Sequence, residues 1–306
     1  MARRHHGNGR RPAVRRVRVP TKTTVPRETA QGTLIIIGGH EEKEGKALIL
    51  RAIAERVQGG KLVVATLASR EPEEMFRDYE RAFSGLGVND VEHLDVPSRE
   101  ELLRNPRLEI LDGASVVFFT GGGQLRITTQ FGGTQLCEQI QEFYRQGGTI
   151  AGTSAGASVM SDTMLVSGEA DASHRVGANL LMAPGLGYLK DVIIDQHFAE
   201  RGRIGRLLGA VAQNPRLLGI GLDENTAIIV EQEKHFRVLG GGAAYVLDGR
   251  GMTCTNITEE EEDRTMSIFN VRLHLLSQGD QFDLLTREPM SSPADTMEKE
   301  LLSAPS

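Results

Sequence analysis

The 306-residue chain has no tryptophan, only four tyrosines and two cysteines, and no apolar run of membrane-spanning length. Each absence excludes something. Cys137 and Cys254 are too few for a disulfide framework, so a reducing, cytoplasmic setting is the simplest expectation. Neither cysteine lies in a metal-ligand spacing, and no Cys/His/Asp cluster does, so no metal and no cofactor are expected. Neither G-x-x-x-x-G-K-[ST] nor G-x-G-x-x-G occurs, which removes the usual nucleotide cradles. Internal repeats are missing too. The N-terminal stretch has no apolar segment of the kind a secretory signal needs.

Charge is plentiful but unevenly placed. Residues 1–30 hold nine Lys or Arg against one Glu, a net +8, so the remainder carries −14 of the overall −6. A basic leader before an acidic body is not one electrostatic unit. Residues 1–30 are expected to be a disordered tail, with weak attraction to a polyanion as the alternative. Residues 31–290 are expected to form one catalytic α/β domain and 291–306 a second tail. No nucleic-acid or membrane partner is expected.

Glycine is abundant, and it clusters after apolar runs. Thr33-Leu34-Ile35-Ile36-Ile37-Gly38-Gly39 reads as a strand buried on both faces. Helical spacing follows over 42–57, then strands at 61–65, 93–96 and 115–119 alternate with helices opened by Pro72, Ser98 and Thr134. Such alternation with short links predicts a doubly wound, mostly parallel sheet. Beyond residue 160 the pattern changes. A polar loop covers Ser167 to Gly177, strands cover 192–195 and 217–222, and a helix covers 201–214. The runs 227–230, 236–238 and 245–247 read as an antiparallel meander, 259–263 as a solvated acidic run, and 267–276 as an edge strand.

Chemistry centres on Gly152-Thr153-Ser154-Ala155-Gly156, a G-x-S-x-G sequence between an apolar run and a helical one. That is the strand-to-helix setting of a nucleophile elbow. The plain alternative is a serine-capped turn. Open α/β sheets bind ligands beyond the carboxyl ends of their strands, where Ser154, His197 and Glu224 all fall. A serine hydroxyl needs a base, and the base an orienting acid. His174, in the polar loop, is the alternative base, while His235 and His274 sit in late strands. The order Ser, His, Glu differs from that of α/β-hydrolases, whose acid precedes the histidine. Gly121-Gly122-Gly123-Gln124 can bring bare N–H groups to an oxyanion. Gly122 and Gly123 are the loop candidates, and Ala155 the donor on the elbow. Arg201, Arg203 and Arg206 could hold carboxylates in paired hydrogen bonds, unless they form a solvated helix face.

Three blocks together carry a resemblance: Gly152 to Ala157, Asp195-Gln196-His197-Phe198 with Arg201 to Arg206, and Gly221 to Ala227. Over about residues 32–290 the chain resembles the cyanophycinases, serine peptidases of the same broad group as aspartyl dipeptidase. The resemblance implies Ser154 as nucleophile, His197 as base and Glu224 as acid. It also implies a pocket lined by Gln124, Asp195, Gln196, Arg201, Arg203 and Arg206. The implied substrate is cyanophycin, a poly-aspartate with arginyl branches, released as β-Asp-Arg dipeptides. The implied fold is similar to class I glutamine amidotransferases and the implied assembly is a homodimer. An aspartyl or isoaspartyl dipeptidase and a non-catalytic amidotransferase-like binding module are the alternatives.

Overall fold

The computed structural model describes residues 31–166, 180–257 and 264–290. The two tails, the polar loop with His174 and the acidic run of 259–263 lie outside the described residues. The first half contains β1 (Thr33–Ile37), α1 (Leu48–Val57), β2 (Lys61–Ala65), α2 (Pro72–Gly85), β3 (Val91–Leu94) and α3 (Arg99–Arg104). It continues with β4 (Ala114–Phe119), α4 (Gln124–Gln130), α5 (Gln135–Arg145), β5 (Thr149–Thr153) and α6 (Ala155–Ser158). Local chemistry explains most boundaries. Pro72 starts α2 with Glu73 and Glu74 in its first turn. The Ser98 hydroxyl accepts from the Glu101 N–H at 3.2 Å, and that of Thr134 from the Cys137 N–H at 3.3 Å.

Several elements differ from the expectation: β3 lies at Val91–Leu94, not 93–96, and the helix expected from 201 starts at Ile204, after the left-handed Gly202 (φ 57°). α1 begins at Leu48, not Glu42, because Gly45 (φ 68°) and Ala47 (φ 40°) turn the backbone left-handed just before it. α4 has no clear signal in the sequence, because Gln-Leu-Arg-Ile-Thr-Thr-Gln holds three β-branched residues of modest helix propensity.

The second half contains β6 (Thr163–Leu165), β7 (Met182–Pro184), β8 (Val192–Gln196), α7 (Ile204–Gln213), β9 (Leu218–Leu222), β10 (Thr226–Glu231) and β11 (His235–Gly240). After these come β12 (Ala244–Asp248), β13 (Cys254–Thr255), β14 (Ile268–Phe269), β15 (Arg272–Leu276), β16 (Gln281–Asp283) and β17 (Glu288–Met290). A nine-stranded sheet runs β17-β16-β11-β10-β1-β5-β4-β2-β3. Its β1-β5-β4-β2-β3 half is parallel, and β10, β11, β16 and β17 add an antiparallel flank. The fold is therefore mixed α/β with a large, partly parallel sheet.

The expected meander is split between two sheets. β10 and β11 pair in the large sheet, but β12 pairs with β9 and β15 in a second sheet of order β15-β12-β9-β8. Burial gives the reason. Val246 belongs to the core between the two sheets and Leu247 to the core under α7, so β12 is covered on both faces. The edge strand expected over 267–276 is broken at Asn270 (φ 63°): Ile268–Phe269 pairs with β13 as β14, and only β15 borders the second sheet.

Alternation along β1 shows the layering. Ile35 and Ile37 pack with Ile49, Leu50 and Ile53 of α1 and Phe83 of α2. Leu34 and Ile36 face the opposite core, which holds Ile140 of α5 and Ile194, Ile220 and Val246 of the second sheet. Beyond that sheet, Leu207 and Val211 of α7 pack on Ile193 and Leu247. Each such buried aliphatic contributes about 1.5–3 kcal/mol.

This stacking brings the strand ends of both sheets to the end of β1. The Ser154 N–H donates to the Ile37 carbonyl at 3.1 Å, the His197 N–H to Gly38 at 2.8 Å, and the Asn225 N–H to Gly39 at 2.8 Å. The three candidate residues thus gather where two sheets meet, and not along the edge of a single one. Among the described residues no helix is long and apolar enough to cross a membrane.

Candidate active site

Ser154 follows β5 directly and has φ 53°, ψ −109°, a conformation that side chains other than glycine rarely adopt. Strain of this kind costs about 1–3 kcal/mol and persists only where the surroundings impose it. The flanking glycines are part of that imposition. A Cβ on Gly156 would lie 2.2 Å from the Phe119 carbonyl oxygen, and one on Gly152 2.5 Å from that of Gly156. The turn therefore exists only with bare backbone on both sides, and it lifts the Ser154 side chain out of the chain.

The Ser154 Oγ lies 2.9 Å from His197 Nε2, and His197 Nδ1 lies 2.6 Å from Glu224 Oε1. A carboxylate on Nδ1 holds the proton there and leaves Nε2 as acceptor for the serine hydroxyl. Burial lowers the His197 pKa below the ordinary histidine value, the Glu224 hydrogen bond opposes this, and the nearby Arg201 cation adds to it. His197 is thus held neutral, the form a base requires. For Glu224, burial favours the acid form, but the hydrogen bonds from His197 and His40 outweigh it and hold the pKa below the usual carboxylate value.

Four residues of this site escaped the sequence reading. His40 Nδ1 lies 2.9 Å from Glu224 Oε2, so the carboxylate is held from both sides. The buried Glu41 accepts from the Tyr79 hydroxyl at 2.5 Å and from the Thr153 hydroxyl at 2.6 Å. Burial and the adjacent Glu41 push the Tyr79 pKa well up, which keeps that hydroxyl a donor. Lys43 stands 4.2 Å over the Tyr79 ring. His40, Glu41 and Lys43 follow the β1 end, Gly38-Gly39, so the strand-end rule used for the later residues would have found them. Tyr79 carried no such signal, because it reads as the apolar face of a helix.

A cleft of about 490 Å³ opens over the serine, lined by His40, Glu41, Lys43, Met75, Tyr79, Gly121, Gly122, Thr153, Ser154, Gln196, His197 and Arg201. Gly122, Gln196 and Arg201 therefore come together with the serine and histidine. Gly121 lies beside the serine, where a Cβ would make ordinary contact with the Ser154 Cβ at 3.4 Å. Among the described residues, the Gly122 and Ala155 N–H groups have no backbone acceptor.

Five other expected residues are placed elsewhere. The Gly123 N–H donates to the Ala68 carbonyl at 2.9 Å, so it is committed to the loop and not to an oxyanion. The Gln124 amide donates to the Leu165 carbonyl at 3.0 Å and holds β6, away from the cleft wall. Asp195 is 1% exposed and forms a buried ion cluster behind Gln196. Arg206 Nε donates to its Oδ2 at 2.7 Å, and Arg203 Nη1 to its Oδ1 at 3.1 Å and also to the Gln196 carbonyl. Burial, with the neighbouring Arg206 and Arg201, lowers the Arg203 pKa to about 10 even though Asp195 opposes the shift. The cause is position. Asp195 lies inside β8, a strand buried along its whole length, and a carboxylate there requires cations. His235 and His274 do not line the cleft.

A serine, a histidine and a carboxylate linked in this order, beside free N–H groups, is the arrangement of serine-dependent hydrolases. Comparison with known proteins agrees. The family model for Peptidase family S51 matches residues 34–238, and the chain belongs to that family. Curated relatives include the cyanophycinase of Synechococcus elongatus, 37% identical over 272 residues, covering 88% of this chain and 84% of its own. The cyanophycinase of Trichormus variabilis is 38% identical over 264 residues (85% of this chain, 88% of its own), and that of Geminocystis herdmanii is 35% identical (85% and 97%). A crystal structure of a peptidase from an acI-B1 Actinobacterium shares the fold, with TM-score 0.62 and 21% identity over 84% of this chain and 99% of its own.

Proposed function

We propose that this chain is a serine exopeptidase that degrades cyanophycin, multi-L-arginyl-poly-L-aspartate, to β-Asp-Arg dipeptides. The observation that carries the reading is the linked Ser154, His197 and Glu224, of which the serine and histidine line a cleft bearing both signs of charge. Three relatives covering most of the chain are named cyanophycinase, which supports the substrate.

In this mechanism Ser154 Oγ attacks the scissile carbonyl as His197 Nε2 takes its proton. Glu224 stabilises the imidazolium that results. The Gly122 and Ala155 N–H groups hold the tetrahedral oxyanion, each contributing about 3 kcal/mol. His197 then returns the proton to the leaving amine, and water hydrolyses the acyl-enzyme by the same route. Arg201 and Lys43 suit the carboxylates of one terminal dipeptide unit, and Glu41 is the anion beside them. Two cations match a single unit better than a long stretch of polymer, which supports cleavage from an end. The same reading takes the protein as a cytoplasmic homodimer whose sheet is similar to that of class I glutamine amidotransferases. The family resemblance supports these points.

Incubation with insoluble polymer and mass analysis of the products is the test. Release of β-Asp-Arg is expected, and Ser154→Ala should lower turnover roughly a million-fold. Untouched polymer with cleavage of aspartyl dipeptides would move the assignment to a dipeptidase. A serine unlabelled by a fluorophosphonate would leave a binding module.

A further inference from the structure

We propose that His40, His197 and Glu224 also form an inhibitory zinc site. One ligand atom from each lies within 4.8 Å of the others, the one such group among the described residues. Two histidines and a glutamate are a donor set that binds zinc with a fourth position open. Zinc bonds to nitrogen and oxygen are about 2.0–2.2 Å long, so tetrahedral donors stand about 3.3 Å apart. His40 Nδ1 and His197 Nδ1 already lie 2.9 and 2.6 Å from opposite oxygens of the same carboxylate. An ion between them needs a small widening of the cluster and no change of fold.

The His40 side chain, 73% exposed, has room for that widening. Its ring meets that of His197 edge to face at 5.1 Å, and both rings line the open cleft, which gives an ion a path from solvent. Hydrogen bonds complete the cluster without metal, so the ion is not needed for the fold or for the peptidase chemistry.

Inhibition follows from proton placement. A metal on His197 Nδ1 takes the lone pair there, and the ring's one proton moves to Nε2. Nε2–H then donates to Ser154 Oγ and can no longer accept its proton. Glu224 is drawn to the metal at the same time. On each ring the Nδ1–H bond breaks as zinc binds and an Nε2–H bond forms through solvent water, so no electron is transferred and neither imidazole changes charge; water fills the fourth position. The zinc ion blocks the site by fixing the wrong tautomer of its base.

The test uses the full chain stripped of metal, with calorimetric zinc titration beside a rate assay scaled to each variant's own zinc-free rate. Loss of even an outer-shell partner costs roughly 10–100-fold in metal affinity. His40→Ala and His40→Gln should therefore each weaken the inhibitory site by at least about ten-fold, in heat and in half-inhibiting concentration alike. Ser154→Ala should bind zinc as the parent does, so binding is decided even if no peptidase substrate is found. Magnesium, which prefers oxygen donors, should neither bind there nor inhibit. Other donors exist in the leader's His5 and His6 and in the exposed Cys254. Equal zinc sensitivity in the parent and both His40 variants assigns the effect to those donors and overturns the proposal, as does the absence of any saturable zinc binding to Ser154→Ala.

Discussion

Replacing Glu224 by glutamine removes one charge and keeps the shape. In the resting site the loss is small, because His197 is neutral there. In the transition state of the proposed mechanism His197 carries the proton taken from Ser154, and the charge of Glu224 then counts. The contact of 2.6 Å between Nδ1 and Oε1 places the two charge centres about 4 Å apart, worth about 4 kcal/mol at an effective dielectric constant of 20. The Glu224 side chain is 26% exposed, so screening by solvent reduces this to about 3 kcal/mol. A fall in kcat/KM of a hundred-fold or somewhat more is expected, carried by kcat with KM nearly unchanged. The loss should stay below the roughly ten-thousand-fold of a triad carboxamide that imposes the wrong tautomer. Here the glutamine oxygen can still accept from His197 while its NH₂ donates to His40 Nδ1, 2.9 Å from the other oxygen. The acid limb of the profile should also move. Glu224 raises the His197 pKa, so its removal lowers that pKa further and carries the limb to lower pH. Initial rates of dipeptide release, taken across about pH 5 to 9 beside a melting curve, decide the matter. A loss under about five-fold, or a limb that moves to higher pH, would refute the charge argument.

Three other outcomes are expected. Arg201→Gln removes a cation that lowers the His197 pKa, so the acid limb of kcat/KM should rise toward the ordinary histidine value of about 6.5. The same variant should lose about ten- to a hundred-fold in KM if its guanidinium meets a substrate carboxylate, and an unchanged KM would remove it from the binding wall. Asp195→Ala removes the carboxylate that the buried Arg203 and Arg206 share, so urea unfolding should show a loss of about 3–5 kcal/mol, whereas a change under about 1 kcal/mol would contradict the buried cluster. Gly39→Ala places a Cβ 2.3 Å from the His197 ring at a backbone φ of 110°, so fluorophosphonate labelling of Ser154 should slow about a hundred-fold; labelling at the parent rate in a folded protein would show that the ring is not held there.

Much of this protein is legible in short stretches of sequence, because the interactions concerned are local. Apolar runs such as 33–37 and 61–65 are strands since their side chains are covered on both faces. Pro72, Ser98 and Thr134 start helices through contacts within four residues. The elbow is legible for the same reason: Gly152 and Gly156 are required by backbone atoms close to them in the chain or on the neighbouring strand. Ser154, His197 and Glu224 each follow a strand, and strand ends are where such a fold presents its chemistry.

Tertiary structure decided what depends on distant partners. β12 pairs in the second sheet and not beside β11, since cores on both of its faces need covering. His40 joins Glu224 across 184 residues of chain and Glu41 joins Thr153 across 112, distances over which no periodicity in the sequence reports. The arginines mark the boundary most clearly. Arg201, Arg203 and Arg206 are equivalent as letters, each a cation within nine residues of His197. Only the burial of Asp195 inside β8 draws Arg203 and Arg206 inward as its counter-charges and leaves Arg201 on the cleft wall. Sequence sets which groups stand at the strand ends; packing sets which way they face, because a buried charge must find its partner before any ligand does.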